Sequence, residues 1–164
     1  MKPQQSGSTC ALAVTLACLL AVVPPPAKAD SSCPVSIPKA KLLGQEGPSS
    51  LQWFGSDSLA VRLPADGLWR GMGPQRDYFD KLFWLAGGFQ PGMEDEFSIT
   101  GHRLDDDESS LKPIVSGVTN ADHEDFGGWA VLTGLGFPAK GCWEVTGSFR
   151  GQELTFVVQV VDTD

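Results

Sequence analysis

Two runs of oxygen-bearing side chains are the first residues in this sequence that could do chemistry. They are Asp105-Asp106-Asp107-Glu108 and Asp122-His123-Glu124-Asp125. Calcium takes six to eight oxygen ligands, and two adjacent loops could supply them. Neither run has the Asp-x-Asp-x-Asp-Gly spacing that turns alternate side chains onto one ion, and consecutive residues point in different directions. The expectation is therefore of solvated, self-repelling loops. Asp105, Asp106, Asp107, Glu108, Asp122, Glu124 and Asp125 are the residues a shared metal site would have to use.

Catalysis finds less support. Nucleophilic hydrolysis wants a Ser or Cys beside a His that a carboxylate orients. The only histidines are His102 and His123, and no Gly-x-Ser-x-Gly elbow occurs. Gly147-Ser148 reads as a hairpin turn, where serine is ordinary. No spacing among the 20 acidic residues singles out a glycosidase pair. No catalytic residue and no cofactor is assigned, and the chain is read as a non-enzyme.

Five tryptophans are many for one domain, and exposed tryptophans can stack on sugar faces. Trp84 and Trp143 fit a core pattern. Trp69, in Gly67-Leu68-Trp69-Arg70-Gly71, is the candidate for exposure and ligand stacking, although tryptophan is buried on average.

The elements that must position these groups begin after residue 29. Lys2, the charge-free stretch Ala11 to Val23 and the small-x-small site Ala27-Lys28-Ala29 predict an export signal over residues 1–29, cleaved before Asp30. That stretch is too short to span a bilayer, which takes about 20 residues, so no transmembrane segment is expected in the mature chain. Thr15-Leu16-Ala17-Cys18 loosely matches a lipobox, which keeps a lipid anchor at Cys18 as the alternative. All 20 acidic residues lie beyond residue 29, against ten of the 12 Lys and Arg, since Lys2 and Lys28 leave with the signal; the mature net charge is −10. Such a chain is repelled by phosphate backbones, which excludes nucleic acid as the expected partner.

Cys33 and Cys142 are the cysteines left after cleavage, and in an oxidising compartment two cysteines most often form one bridge.

Residues 30–50 read as an extended lead-in to a single domain over 51–164. Strands are expected at Leu51 to Phe54, at Ser58 to Leu63 with Leu59, Val61 and Leu63 inward, and at Lys81 to Ala86 as a buried run. Glu96 to Leu104 places Phe97 and Ile99 inward, with a bulge at Gly101 to absorb the break in phase. Leu111 to Val118 is weakly strand-like and Asn120 to Asp125 reads as a polar loop. A strand rises from Phe126 to Leu132, and the terminal strand carries Leu154, Phe156, Val158 and Val160 on one face. Six to eight short strands without a sustained helical period predict an all-β, immunoglobulin-like antiparallel sandwich with one disulfide, from the start of the domain to its penultimate strand.

Phe137-Pro138-Ala139-Lys140-Gly141-Cys142-Trp143-Glu144-Val145-Thr146-Gly147 and the following Leu-Thr-Phe-Val-Val strand resemble the C-terminal half of small exported bacterial proteins of unknown function. Cys33-Pro34, the Lys81 to Trp84 segment and the Ile99 to Asp105 segment extend the resemblance over most of residues 33–161. Leu85 departs from the pattern, which carries a basic or aromatic residue after the tryptophan. The resemblance implies export, a disulfide and a β fold, and no activity. The expected function is a secreted, periplasmic or envelope module that binds or supports an extracellular or envelope partner. A carbohydrate- or calcium-binding domain is the alternative, and an envelope enzyme the third.

Overall fold

The structure, a computed structural model, describes residues 32–38, 51–71, 78–105, 112–123 and 128–162. The chain divides into two units, residues 1–30 and 31–164, and all described residues belong to the second. The export signal, the cleavage before Asp30 and the alternative anchor at Cys18 lie outside them.

The described residues form nine strands in two sheets. β1 (Leu51–Gly55), β2 (Leu59–Pro64), β4 (Asp80–Ala86), β7 (Gly128–Gly136) and β6 (Ile114–His123) make one sheet in that order. β3 (Leu68–Trp69), β9 (Gln152–Val160), β8 (Gly141–Phe149) and β5 (Phe97–Arg103) make the other. All pairings are antiparallel except the short β3–β9 contact. A 3-10 turn, η1 (Glu94–Glu96), precedes β5 and packs against β6. The chain is all-β, as its period-two patterning predicts.

Alternation decides which side chains fill the space between the sheets. Leu59, Val61 and Leu63 of β2 meet Leu82, Trp84 and Ala86 of β4 and Val131 and Leu135 of β7. From the other sheet come Phe97, Trp143, Val145, Phe149, Phe156, Val158 and Val160. β4 is apolar on both faces: Phe83 and Leu85 join Trp53, Ala60 and Ala130 in a second cluster on the far side of the five-stranded sheet. The Arg62 guanidinium lies 5.8 Å over the Trp53 ring there. That two-sided burial explains why Lys81 to Ala86 reads as one continuous apolar run.

Three local expectations are corrected. Gly147-Ser148 is not a turn: both lie within β8, and the chain reverses at Arg150-Gly151, between the register pair Phe149 and Gln152. Both turn residues have positive φ, 49° and 78°, as a two-residue hairpin of matching twist requires. Gly101 carries no bulge, because β5 and β8 stay in register from Phe97–Phe149 to Arg103–Trp143. A β-carbon at Gly101 would stand 2.5 Å from the Glu144 carbonyl oxygen, so close packing rather than a shifted register calls for glycine. The phase breaks because Leu104 lies past the strand end, exposed to solvent. A bulge does occur in β6, where the register shifts between Ser116 and Val118 and the intervening Gly117 has φ 57°. Beyond it β6 continues to His123, so Asn120 to His123 are strand rather than loop.

The bridge joins Cys33 to Cys142 with Cα atoms 5.4 Å apart. Cys142 alternates with the buried Trp143 and Val145, which turns its sulfur to the outer side of the four-stranded sheet. The lead-in runs along β9 there, with the Ser36 N–H donating to the Val157 carbonyl (2.8 Å) and the Val157 N–H donating to Ser36 Oγ (2.9 Å).

Candidate functional site

Asp105 and Asp122, the described acids of the two runs, do not share an end of the sandwich. Asp105 follows β5 beside Gly141, and its carboxylate accepts a hydrogen bond from Arg103 Nε at 2.6 Å. Burial pushes that carboxyl up, but the Arg103 guanidinium and a backbone N–H bond from Cys142 outweigh it and hold it below the ordinary range. Pro113 packs close to Gly101, so β6 begins at this same end. Asp122 lies near the other end of β6, eight residues beyond Ile114, or roughly 26 Å at about 3.3 Å per residue. Asp106, Asp107, Glu108, Glu124 and Asp125 lie outside the described residues. Among the described residues, no group of three or more His, Cys, Asp or Glu could hold a metal ion. The structure thus separates the two described members of the candidate calcium set.

Trp69 is not an exposed platform. It is 2% exposed, packs edge-on to Phe137 with ring centroids 5.4 Å apart, and its indole N–H donates to the Tyr78 carbonyl. The Gly-Leu-Trp-Arg-Gly composition suggested a loop, but Leu68 and Trp69 form β3 against β9, which turns the ring into the core. Arg70 takes the solvent-facing position and pairs with Asp66 at 2.8 Å.

The solvent-facing tryptophan is Trp129, 38% exposed, whereas the other four are at most 4% exposed. It is the second residue of β7, after Gly128, and stands opposite Asp122 in the β6–β7 register. Directly opposed residues project to the same face with Cβ atoms about 4.5–5.5 Å apart. One same-face rung further in, Asn120 opposes the buried Val131, and its amide donates to Glu94 Oε1. The Gly92 N–H donates to the second Glu94 oxygen at 2.8 Å. The Asn120 bond, then Glu94's own backbone N–H and last that of Gly92, hold the Glu94 carboxyl below its ordinary value. η1 is therefore tied to β6 at Asn120, and the Trp129–Asp122 rung is the next same-face rung toward the strand end. Among the described residues, neither side chain makes a hydrogen bond, ion pair or ring contact. The sequence signal was present but weak: a tryptophan straight after paired glycines sits at a strand mouth, where the opposing sheet no longer covers it.

His102 and Glu144 oppose each other on the outer face of the four-stranded sheet, Nδ1 to Oε1 at 3.9 Å, both open to solvent. The nearest serines in the ladder, Ser98 and Ser148, stand four residues along the strands, roughly 13 Å away. This pair does not bring a nucleophile to a base.

No family model, no curated protein and no solved structure matches this chain.

Proposed function

We propose that this chain is an exported, non-enzymatic module of immunoglobulin-like architecture that binds a partner outside the cytoplasm through its Trp129 end. The observation that carries the binding role is the Trp129–Asp122 rung, a partly exposed indole beside an exposed carboxylate, neither in a hydrogen bond, ion pair or ring contact among the described residues. The other four tryptophans are buried, and Asp66, Glu94, Glu96, Asp105 and Asp162 have partners.

The Cys33–Cys142 bridge supports export, because such bonds persist in oxidising compartments. The immunoglobulin-like description rests on two sheets, antiparallel but for the short β3–β9 pair, around one apolar core. The bridge lies outside the four-stranded sheet instead of between the sheets, so the kinship is of architecture and not of the disulfide–tryptophan core. Function then resides in the site and not in the fold.

The test combines location with binding. The protein expressed with its own leader is recovered from the extracytoplasmic fraction and sequenced from its N-terminus. It is then compared with Trp129→Ala on immobilised small amines, basic peptides and neutral oligosaccharides. Export, and retention of at least one probe by the wild type but not by a folded Trp129→Ala, is the expected result. Cytoplasmic retention, or equal behaviour of the two proteins on every probe, overturns the proposal.

A further inference from the structure

The geometry points to an organic cation, an alkylammonium or guanidinium group, as the ligand of the Trp129–Asp122 rung. This rests on the binding-module reading and gives its ligand a chemical class. An indole face attracts a cation placed within about 6 Å of its centroid, and tryptophan is the strongest aromatic partner for one. A carboxylate on the opposed residue, with Cβ about 5 Å away, adds a counter-charge within reach of the same cation.

The groups one rung inward narrow the choice. Asn120 and Glu94 hold each other, and the other Glu94 oxygen holds the Gly92 N–H. A neutral saccharide needs several directed partners for its hydroxyls beyond the ring it stacks on. A cation needs only the π face and the charge, which are the two groups this rung offers. Arg150 is tied to η1 by a two-bond pair with Glu96. The net charge of −10 beyond residue 29, from 20 acids against ten Lys and Arg, also raises the local concentration of cations around the protein.

The experiment titrates the full mature protein, by calorimetry and by backbone amide shifts, with three probes. They are tetramethylammonium, an arginine-containing tripeptide and a neutral glucose oligosaccharide. The variants are Trp129→Ala and Asp122→Asn, the second of which keeps the side-chain volume and leaves the fold intact. The cations are expected to bind wild type, about tenfold weaker to Trp129→Ala and several-fold weaker to Asp122→Asn. Binding weakens as ionic strength rises from about 0.01 M to about 1 M, where the Debye length falls from about 30 to 3 Å. Equal binding by both cations identifies a small amine as a sufficient ligand, and tripeptide binding alone identifies a basic peptide; either supports the inference. Cation binding that Asp122→Asn leaves unchanged overturns it. Saccharide binding lost in Trp129→Ala, with no cation binding, overturns the cation and leaves the binding module standing. No probe binding, or binding indifferent to Trp129→Ala, overturns both.

Discussion

Gly147 of β8 lies against the Trp84 indole so closely that a β-carbon there would stand 2.4 Å from Cζ3 and 2.5 Å from Cη2. Trp84 cannot easily give way. It is fully buried, its N–H donates to Thr133 Oγ1 at 3.1 Å, and its ring meets Phe97 edge-on at 5.1 Å. The centre of the sandwich is thus a large ring set over a residue with no side chain.

Gly147→Ala should therefore overpack the core. Forcing a methyl group into a filled interior costs about 1–3 kcal/mol. Chemical denaturation should show that loss with an unchanged m-value. A variant as stable as wild type would mean that Trp84 repacks freely.

Reducing the Cys33–Cys142 bridge should lower stability substantially. The residues are 109 apart in sequence, and closing such a loop contributes about 4–5 kcal/mol in the chain-entropy account, although engineered cases often deliver less. Mass spectrometry of the exported protein should find no free thiol, and reductant should lower the melting midpoint. Ready alkylation of both cysteines in the untreated protein would contradict the bridge.

Acid should loosen the ties at two surface points. The Arg150 guanidinium beside Glu96 holds that carboxyl below its ordinary value. Lys140 and then Tyr78 do the same for Asp162. A carboxyl depressed in the folded state stabilises above its unfolded pKa, and that contribution is lost as pH falls through the folded pKa. The melting midpoint should drop as pH falls below the ordinary carboxylate range. Glu96→Gln should be less stable than wild type at neutral pH and converge with it in acid. Because both pairs are exposed, the effect is small and salt-sensitive. A constant gap between the two proteins across that range would show that the Glu96 charge contributes nothing.

The sequence made most of the sandwich legible because a half-buried strand writes its burial into alternate residues. Leu59, Val61 and Leu63 show this, as do Phe156, Val158 and Val160. Glycine was the less legible residue, since the same letter serves a turn at Gly151, a bulge at Gly117 and a ring contact at Gly147. Only the neighbours in space tell these uses apart. The same limit hid the candidate site. Trp69 and Trp129 both lie within two residues of a glycine, and tertiary pairing alone puts one against Phe137 and leaves the other at the strand mouth. The distance between Asp105 and Asp122 was equally hidden, because it depends on β6 running on past its bulge to His123.

The most direct test of the binding account is the indole N–H region of a ¹H–¹⁵N spectrum recorded while the arginine-containing tripeptide is added. The five tryptophans should give five resonances, and the one missing from Trp129→Ala should move first and furthest. The indoles of Trp69, Trp84 and Trp143, whose N–H groups are held by Tyr78, Thr133 and Ala139, should stay in place. A Trp129 resonance that stays fixed throughout the titration, or shifts centred on the buried indoles, would contradict it.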